Sequence, residues 1–200
     1  MDRYIAVIGA GGWGTALANL LSKKGYNVRV WVYLKEEKEE LERNHENLHF
    51  LPGIKLEEGI EFSNDMEYCI KGALCVVSAV PSKAVEETAV KIAKYIDIKS
   101  QKLVTVSKGL DANTQERISQ VICRVIPGVD VAVLSGPSHA EEVARGMITT
   151  NVAASASDET AEFAQEIFMT DYFRVYTNND IIGVELGGAL KNIIALCVGV

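Results

Sequence analysis

The feature that most constrains this chain lies in its first 24 residues. A short apolar run, Tyr4–Ile8, ends in Gly9-Ala10-Gly11-Gly12-Trp13-Gly14. Thr15–Lys24 follows, with Leu17, Leu20 and Leu21 on one helical face. A strand that passes through GxGxxG directly into a helix is the opening of a dinucleotide-binding βαβ unit. Gly9 permits the tight turn, Gly11 lets the backbone approach a pyrophosphate, and Gly14 lets helix and strand pack closely. The free N–H groups and positive dipole end of the helix suit phosphate. Gly12 and Trp13 complete the expected cofactor-binding loop. The plain alternative, a glycine-rich turn with no ligand, is disfavoured by the flanking strand and helix.

The same alternation continues. Asn27–Tyr33, Leu74–Val80, Leu103–Val106 and Val131–Leu134 are short, apolar and rich in β-branched residues, the pattern of buried parallel strands. Ser82–Tyr95 and Thr114–Val125 have helical spacing, and Gly25 is a good stop for the first helix. Asn44–Gly59, with Leu51-Pro52-Gly53, reads as a loop between units. Beyond Gly146 the pattern predicts a strand at Thr149–Ala154, a helix at Ser157–Phe168, a short strand at Phe173–Tyr176 and a helix at Asp180–Val200. The expected fold is α/β, a Rossmann-like doubly wound, mainly parallel sheet. The last helix is apolar all round, as in a helix buried inside a larger protein. Residues 1–179 are therefore expected to form the dinucleotide-binding domain, and residues 180–200 to start a helical domain that these residues do not complete.

Charge narrows the partners. The net charge is −7, and Lys23-Lys24 is the one adjacent basic pair, so nucleic-acid binding is not expected. Cys69, Cys75, Cys123 and Cys197 show no CxxC spacing and are expected to be buried free thiols in a reducing cytoplasm. His45, His49 and His139 lack the spacing of a metal site. No signal peptide or membrane segment is expected, since the run Ile5–Ala10 is too short to span a bilayer.

A site for NAD usually has an acid at the end of its second strand, against the ribose hydroxyls. Here that end reads Trp31-Val32-Tyr33-Leu34-Lys35, and the first acid is Glu36. Tyr33 suits stacking on adenine. Lys35 suits a 2′-phosphate, although it is equally at home as a solvated residue at a helix start. On these residues the balance favours NADP over NAD.

Five further segments stand in order behind the glycine loop: Asn47–Gly53, Ala79–Ser82, Ser107–Leu110, Ser135–Ala144 and Glu185–Asn192. Together they resemble the bacterial NAD(P)-dependent sn-glycerol-3-phosphate dehydrogenase family along the whole chain. The resemblance implies hydride transfer between NAD(P)H and dihydroxyacetone phosphate or glycerol 3-phosphate, in support of phospholipid synthesis. It also implies a C-terminal helical domain and leaves room for a homodimer. The 200 residues alone are expected to bind cofactor without full activity. Three positions depart from the family: Tyr33 stands where arginine is usual, Phe50 where tyrosine is frequent, and His139 where an aromatic ring is frequent, which suggests packing for His139.

The resemblance also assigns roles. Reduction of a ketone needs a proton on the carbonyl oxygen, and Lys191 is the candidate acid/base. Gly187 and Gly188 share its helical face, which would let another group approach the backbone. Lys108 follows a strand end and is implied to touch both cofactor and substrate. Its ammonium is also expected to lower the pKa of Lys191. Gly136, Ser138 and Asn192 are implied substrate contacts, and Phe50, Pro81 and Ala140 cofactor contacts. Ser138 has an alternative task as the N-cap of the following helix. Glu185 is expected to be structural or to support one of these residues from behind. Two other functions are weaker on these residues: a different β-hydroxyacid-type dehydrogenase, and a non-catalytic dinucleotide sensor, which would not need both lysines.

Overall fold

The computed structural model describes residues 4–199. Strand β1 (Tyr4–Ile8) leads into α1 (Gly12–Lys23), β2 (Asn27–Trp31) and α2 (Lys35–Asn44). A two-stranded antiparallel ribbon of β3 (Glu46–Asn47) and β4 (Leu51–Lys55) comes next, then β5 (Ile60–Ser63) and α3 (Met66–Ile70). β6 (Cys75–Ser78) is followed by a 3-10 turn (Ser82–Ala84) and α4 (Val85–Ile92), and β7 (Lys102–Thr105) by α5 (Ile118–Val125). The remaining elements are β8 (Val131–Ser135), α6 (Ala140–Ala144), β9 (Thr149–Ala154), α7 (Asp158–Phe168), β10 (Phe173–Asn178) and α8 (Ile181–Gly199).

Eight strands form one sheet in the order β10-β9-β8-β7-β6-β1-β2-β5. Every neighbouring pair is parallel except β8 and β9, which are antiparallel. This is the expected Rossmann-like, mainly parallel architecture. Its cause is visible in β1. Ile5 and Val7 pack into one layer with Leu17 and Leu21 of α1, while Ala6 and Ile8 pack into the other with Ile70 of α3 and Ile122 of α5. With both faces covered, the strand has no side on which to place a polar residue.

Differences from the sequence expectation have local causes. Helix α2 buries only Leu41, so it shows no apolar stripe to read. The expected loop Asn44–Gly59 contains the β3–β4 ribbon, whose Leu51 and Ile54 join the core. Helix α5 begins at Ile118 rather than Thr114. The Asp111 carboxylate accepts the N–H groups of Asn113 and Thr114 at 3.0 and 2.9 Å, and Leu110 bridges to Arg117, which holds the preceding residues in a turn.

The last helix leaves most of its apolar surface exposed. Val200 lies outside the described residues, and Glu185 is the only residue of α8 that is buried. Ile193, Leu196 and Val198 are exposed. By length and composition α8 could cross a membrane, yet it is docked on the domain through Glu185. All four cysteines are free thiols. Cys69 and Cys75 are buried, and burial pushes both up to about 12, whereas Cys123 and Cys197 are exposed, contrary to expectation.

The first turn fixes how closely α1 meets the sheet. Gly9 has a φ of +115°, and a Cβ there would lie 2.7 Å from the Ala79 carbonyl oxygen. A Cβ on Gly14 would overlap the Gly9 carbonyl oxygen. Both contacts are with backbone, which cannot swing aside. Gly14→Ala is therefore expected to lower stability by about 1–3 kcal/mol, as in other overpacked cores. Urea denaturation checks this, and an unchanged midpoint would show that α1 can move away at no cost.

Candidate active site

The chain runs outward through β1, β2 and β5, then returns to the other side of β1 and continues through β6, β7 and β8. The strand order thus reverses between β1 and β6. Loops leaving the carboxyl ends of those two strands diverge and open a crevice. A cleft of about 680 Å³ lies there, walled by the glycine loop, by Ala79-Val80-Pro81 and by Lys108. Tyr33, Phe50 and Ala140 also line it.

The glycine loop fits a dinucleotide for a specific reason. Gly9 and Gly14 are required by the fold, and a Cβ on Gly12 would lie 2.6 Å from the Phe50 carbonyl oxygen. Gly11 is different. Its φ of −68° suits any residue, and a Cβ on it would meet nothing within 4 Å. The space before Gly11 is therefore open cleft. Gly11 is also the N-cap of α1, and no side chain caps that helix, so its first N–H groups are left for an anion.

Asn47 aligns the ribbon with this loop. Its amide nitrogen donates to the Ala10 carbonyl at 2.8 Å and to Thr15 Oγ1 at 2.9 Å, while its Oδ1 accepts the Phe50 N–H at 3.0 Å. Phe50 is thereby held at the mouth of the cleft, half exposed. Sequence reasoning met Asn47 only as part of a motif and gave it no role. In sequence β2 and α2 separate Asn47 from the glycine loop, so no local signal pairs the two.

The two lysines converge from different elements. Lys108, just past β7, donates to the Gly136 carbonyl oxygen at 3.0 Å and to Ser138 Oγ at 3.3 Å. Its Nζ also lies 5.6 Å from the centre of the Trp13 ring. Lys191 lies on α8 and donates to Asn192 Oδ1 at 2.9 Å. Helix α8 comes this close because Gly188 has no side chain, since a Cβ there would overlap Ser135 Oγ. Glu185 fastens the same helix. Its carboxylate accepts from the Ser119 N–H at 2.8 Å, from Ser119 Oγ at 2.6 Å and from Arg117 at 2.6 Å. Breaking so buried an ion pair typically costs about 3–5 kcal/mol.

With this geometry in view, the comparisons with known proteins have a clear meaning. Residues 4–161 match the family model described as NAD-dependent glycerol-3-phosphate dehydrogenase N-terminus. The chain belongs to that family. It is 52% identical over 200 residues to the glycerol-3-phosphate dehydrogenase [NAD(P)+] of Moorella thermoacetica, covering 100% of this chain and 59% of that one. It is 47% identical over 195 residues to the enzyme of the same name from Agathobacter rectalis, covering 98% of this chain and 58% of that one. Among solved structures, the glycerol-3-phosphate dehydrogenase of Coxiella burnetii superposes with a TM-score of 0.91 at 34% identity, over 99% of this chain and 60% of that one. The chain thus spans about three-fifths of the length of these dehydrogenases.

Set against this family site, the expected residues fall into three groups. Gly9, Gly11, Gly12, Trp13, Tyr33, Phe50, Pro81, Lys108, Ser138 and Ala140 all line one cleft, and Gly14 supports its floor from behind. Gly136 is drawn in through the Lys108 bond, and Lys191 and Asn192 come from α8 beside it. Other expectations are corrected. Ser138 is not the N-cap of α6. His139 holds that position, and the Ser138 hydroxyl instead donates to Asn151 Oδ1 at 3.2 Å. His139 is exposed rather than packed. Pro81 precedes a 3-10 turn rather than an α-helix. Lys35 pairs with Glu39 at 3.7 Å outside the cleft, so it is the solvated helix-start residue. Asn151 is a fully buried residue that sequence reasoning missed, and its amide nitrogen has no partner among the described residues.

Burial and a neighbouring charge both act on Lys108. Desolvation by burial, and then the Lys191 ammonium, hold the Lys108 pKa below its ordinary value of 10.5. Between the depressed folded pKa and 10.5, the unfolded chain binds more protons, so stability rises with pH across that window. Lys108→Met should lose this rise, and its stability relative to the unsubstituted chain should decline as pH increases from neutral toward 10.5. Parallel stability curves over this range would show that Lys108 does not titrate abnormally.

Proposed function

We propose that this chain binds a reduced or oxidised nicotinamide dinucleotide along the cleft between β1 and β6 and supplies Lys108 and Lys191 to glycerol-3-phosphate dehydrogenase chemistry. The substrates are dihydroxyacetone phosphate and sn-glycerol 3-phosphate, and the cellular role is cytoplasmic supply of glycerol 3-phosphate for phospholipid synthesis. The observation that carries this reading is that Lys108, inside the dinucleotide cleft and bonded to the Gly136 carbonyl, meets the helix that bears Lys191, which Gly188 allows to pack against Ser135.

In this reading the nicotinamide, when bound, supplies or accepts the hydride at C2. The start of α1 holds the pyrophosphate through N–H groups at Gly11 and beyond. Lys191 gives a proton to the carbonyl oxygen during reduction, and its neutral amine takes that proton from the C2 hydroxyl in the reverse direction. Asn192, bonded to the Lys191 amine at 2.9 Å, orients it. Lys108, Gly136 and Ser138 form the substrate wall, and the ammonium of Lys108 attracts the oxygens of a phosphorylated triose. Residues 1–179 are the dinucleotide-binding domain, while residues 180–200 open the helical substrate domain. The exposed apolar side chains of α8 support that division.

Two substitutions test the proposal. Gly11→Val fills the open space before α1 and should abolish NADH and NADPH binding in a fluorescence titration while circular dichroism stays unchanged. In a chain extended to the length of its relatives, Lys191→Met should cut turnover of dihydroxyacetone phosphate by about a hundredfold or more, with dinucleotide affinity little changed. Normal turnover in that variant would move the acid/base role to another residue. The 200 residues alone should bind cofactor with little or no turnover.

A further inference from the structure

The cleft continues past the end of β2, and its lining there is unusual in charge. Trp31 and Tyr33 form an apolar floor, with ring centres 5.9 Å apart in an edge-on arrangement. The charged residues on this stretch are Glu37 from α2, and Glu87 and Lys91 from α4 on the facing wall. Among the described residues, no arginine lines the cleft. Lys91 is already engaged. Its Nζ lies 2.6 Å from the Glu87 carboxylate and sits over the Tyr33 and Trp31 rings at 5.5 and 5.9 Å. The lysines of α2 do not help, because Lys35 pairs with Glu39 at 3.7 Å and Lys38 with Glu42 at 2.7 Å, and neither lines the cleft.

Glu37 occupies a particular place. It stands in the first turn of α2, half-buried, and shares a second small hollow with Ala10 of the glycine loop and with Phe50. Glu37 therefore flanks the loop that begins α1, on the side toward the end of β2. A dinucleotide laid with its pyrophosphate on Gly11 must run its adenosine ribose past this position. A carboxylate there accepts hydrogen bonds from ribose hydroxyls and repels a 2′-phosphate. Two carboxylates against one engaged ammonium give this end of the cleft an excess of negative charge.

We infer that the chain selects NAD(H) over NADP(H), and that Glu37 is the residue that sets the preference. The inference rests on the cleft being the dinucleotide site, and it reverses the preference that Lys35 suggests from sequence. The test is a fluorescence titration of the 200-residue chain with NADH and with NADPH at low salt. NADH should bind at least about tenfold more tightly than NADPH, the scale of one good charge-assisted contact. Glu37→Gln should narrow that ratio by weakening NADH and strengthening NADPH, and Glu37→Arg should invert it. Added salt should reduce the ratio in the unsubstituted chain by screening the repulsion. Equal or tighter binding of NADPH in the unsubstituted chain would overturn the inference while leaving the cleft as the dinucleotide site. So would a ratio unmoved by Glu37→Gln. A fall in NADPH affinity on Lys91→Gln would also overturn it, by making Lys91 a 2′-phosphate partner. Binding of neither dinucleotide by the folded chain would overturn both readings together.

Discussion

The Gly9 carbonyl oxygen occupies the space where any side chain on residue 14 would have to stand, and the rest of the site depends on that contact. It allows α1 to start directly against the end of β1, so the uncapped helix start faces the point where the strand order reverses. A looser turn would carry those N–H groups away from the crevice. The second wall is set by the same packing, because the Ala79 carbonyl oxygen lies against Gly9 from the neighbouring strand end. One close backbone contact thus joins the phosphate cradle to the wall beside it.

The lysines show a different balance. Lys108 is held in a partly desolvated position where its charge is disfavoured, and its bonds to Gly136 and Ser138 only partly offset that. Lys191 reaches the same region on a helix that exposes almost all of its apolar surface and is fixed by one buried carboxylate. Glu185 accepts the N–H of Ser119 in the first turn of α5, where a capping side chain would normally act. A residue of α8 therefore caps α5, and the stability of one helix start is tied to the docking of another helix.

Much of this was legible in the sequence because the main strands are buried on both faces and read as unbroken apolar runs. The glycine loop was legible because its spacing follows from backbone geometry. Other elements left little trace. Helix α2 is almost entirely solvated, β5 and α3 are short, and the β3–β4 ribbon buries only a few residues. At the site, residue types indicated Lys108 and Lys191, but not that Lys108 would be partly desolvated, since that depends on burial. Residue type left two roles open for Lys35, and its pairing with Glu39 along its own helix favours the solvated one. Asn151 and Ser138 could not be linked from sequence, because their bond joins β9 to the loop that follows β8.

That bond depends on the one reversed strand. In a wholly parallel sheet only strand C-termini reach the ligand edge, and loops must provide the side chains found there. Because β9 runs antiparallel to β8, its beginning lies beside the end of β8, with Val152 opposite Ser135. Asn151 can therefore support Ser138 from within a hydrogen-bonded ladder that is paired on both sides, with β8 and with β10. The lysine contact at Ser138 is braced by sheet rather than by loop, so its position should be among the stiffest in an otherwise loop-built pocket.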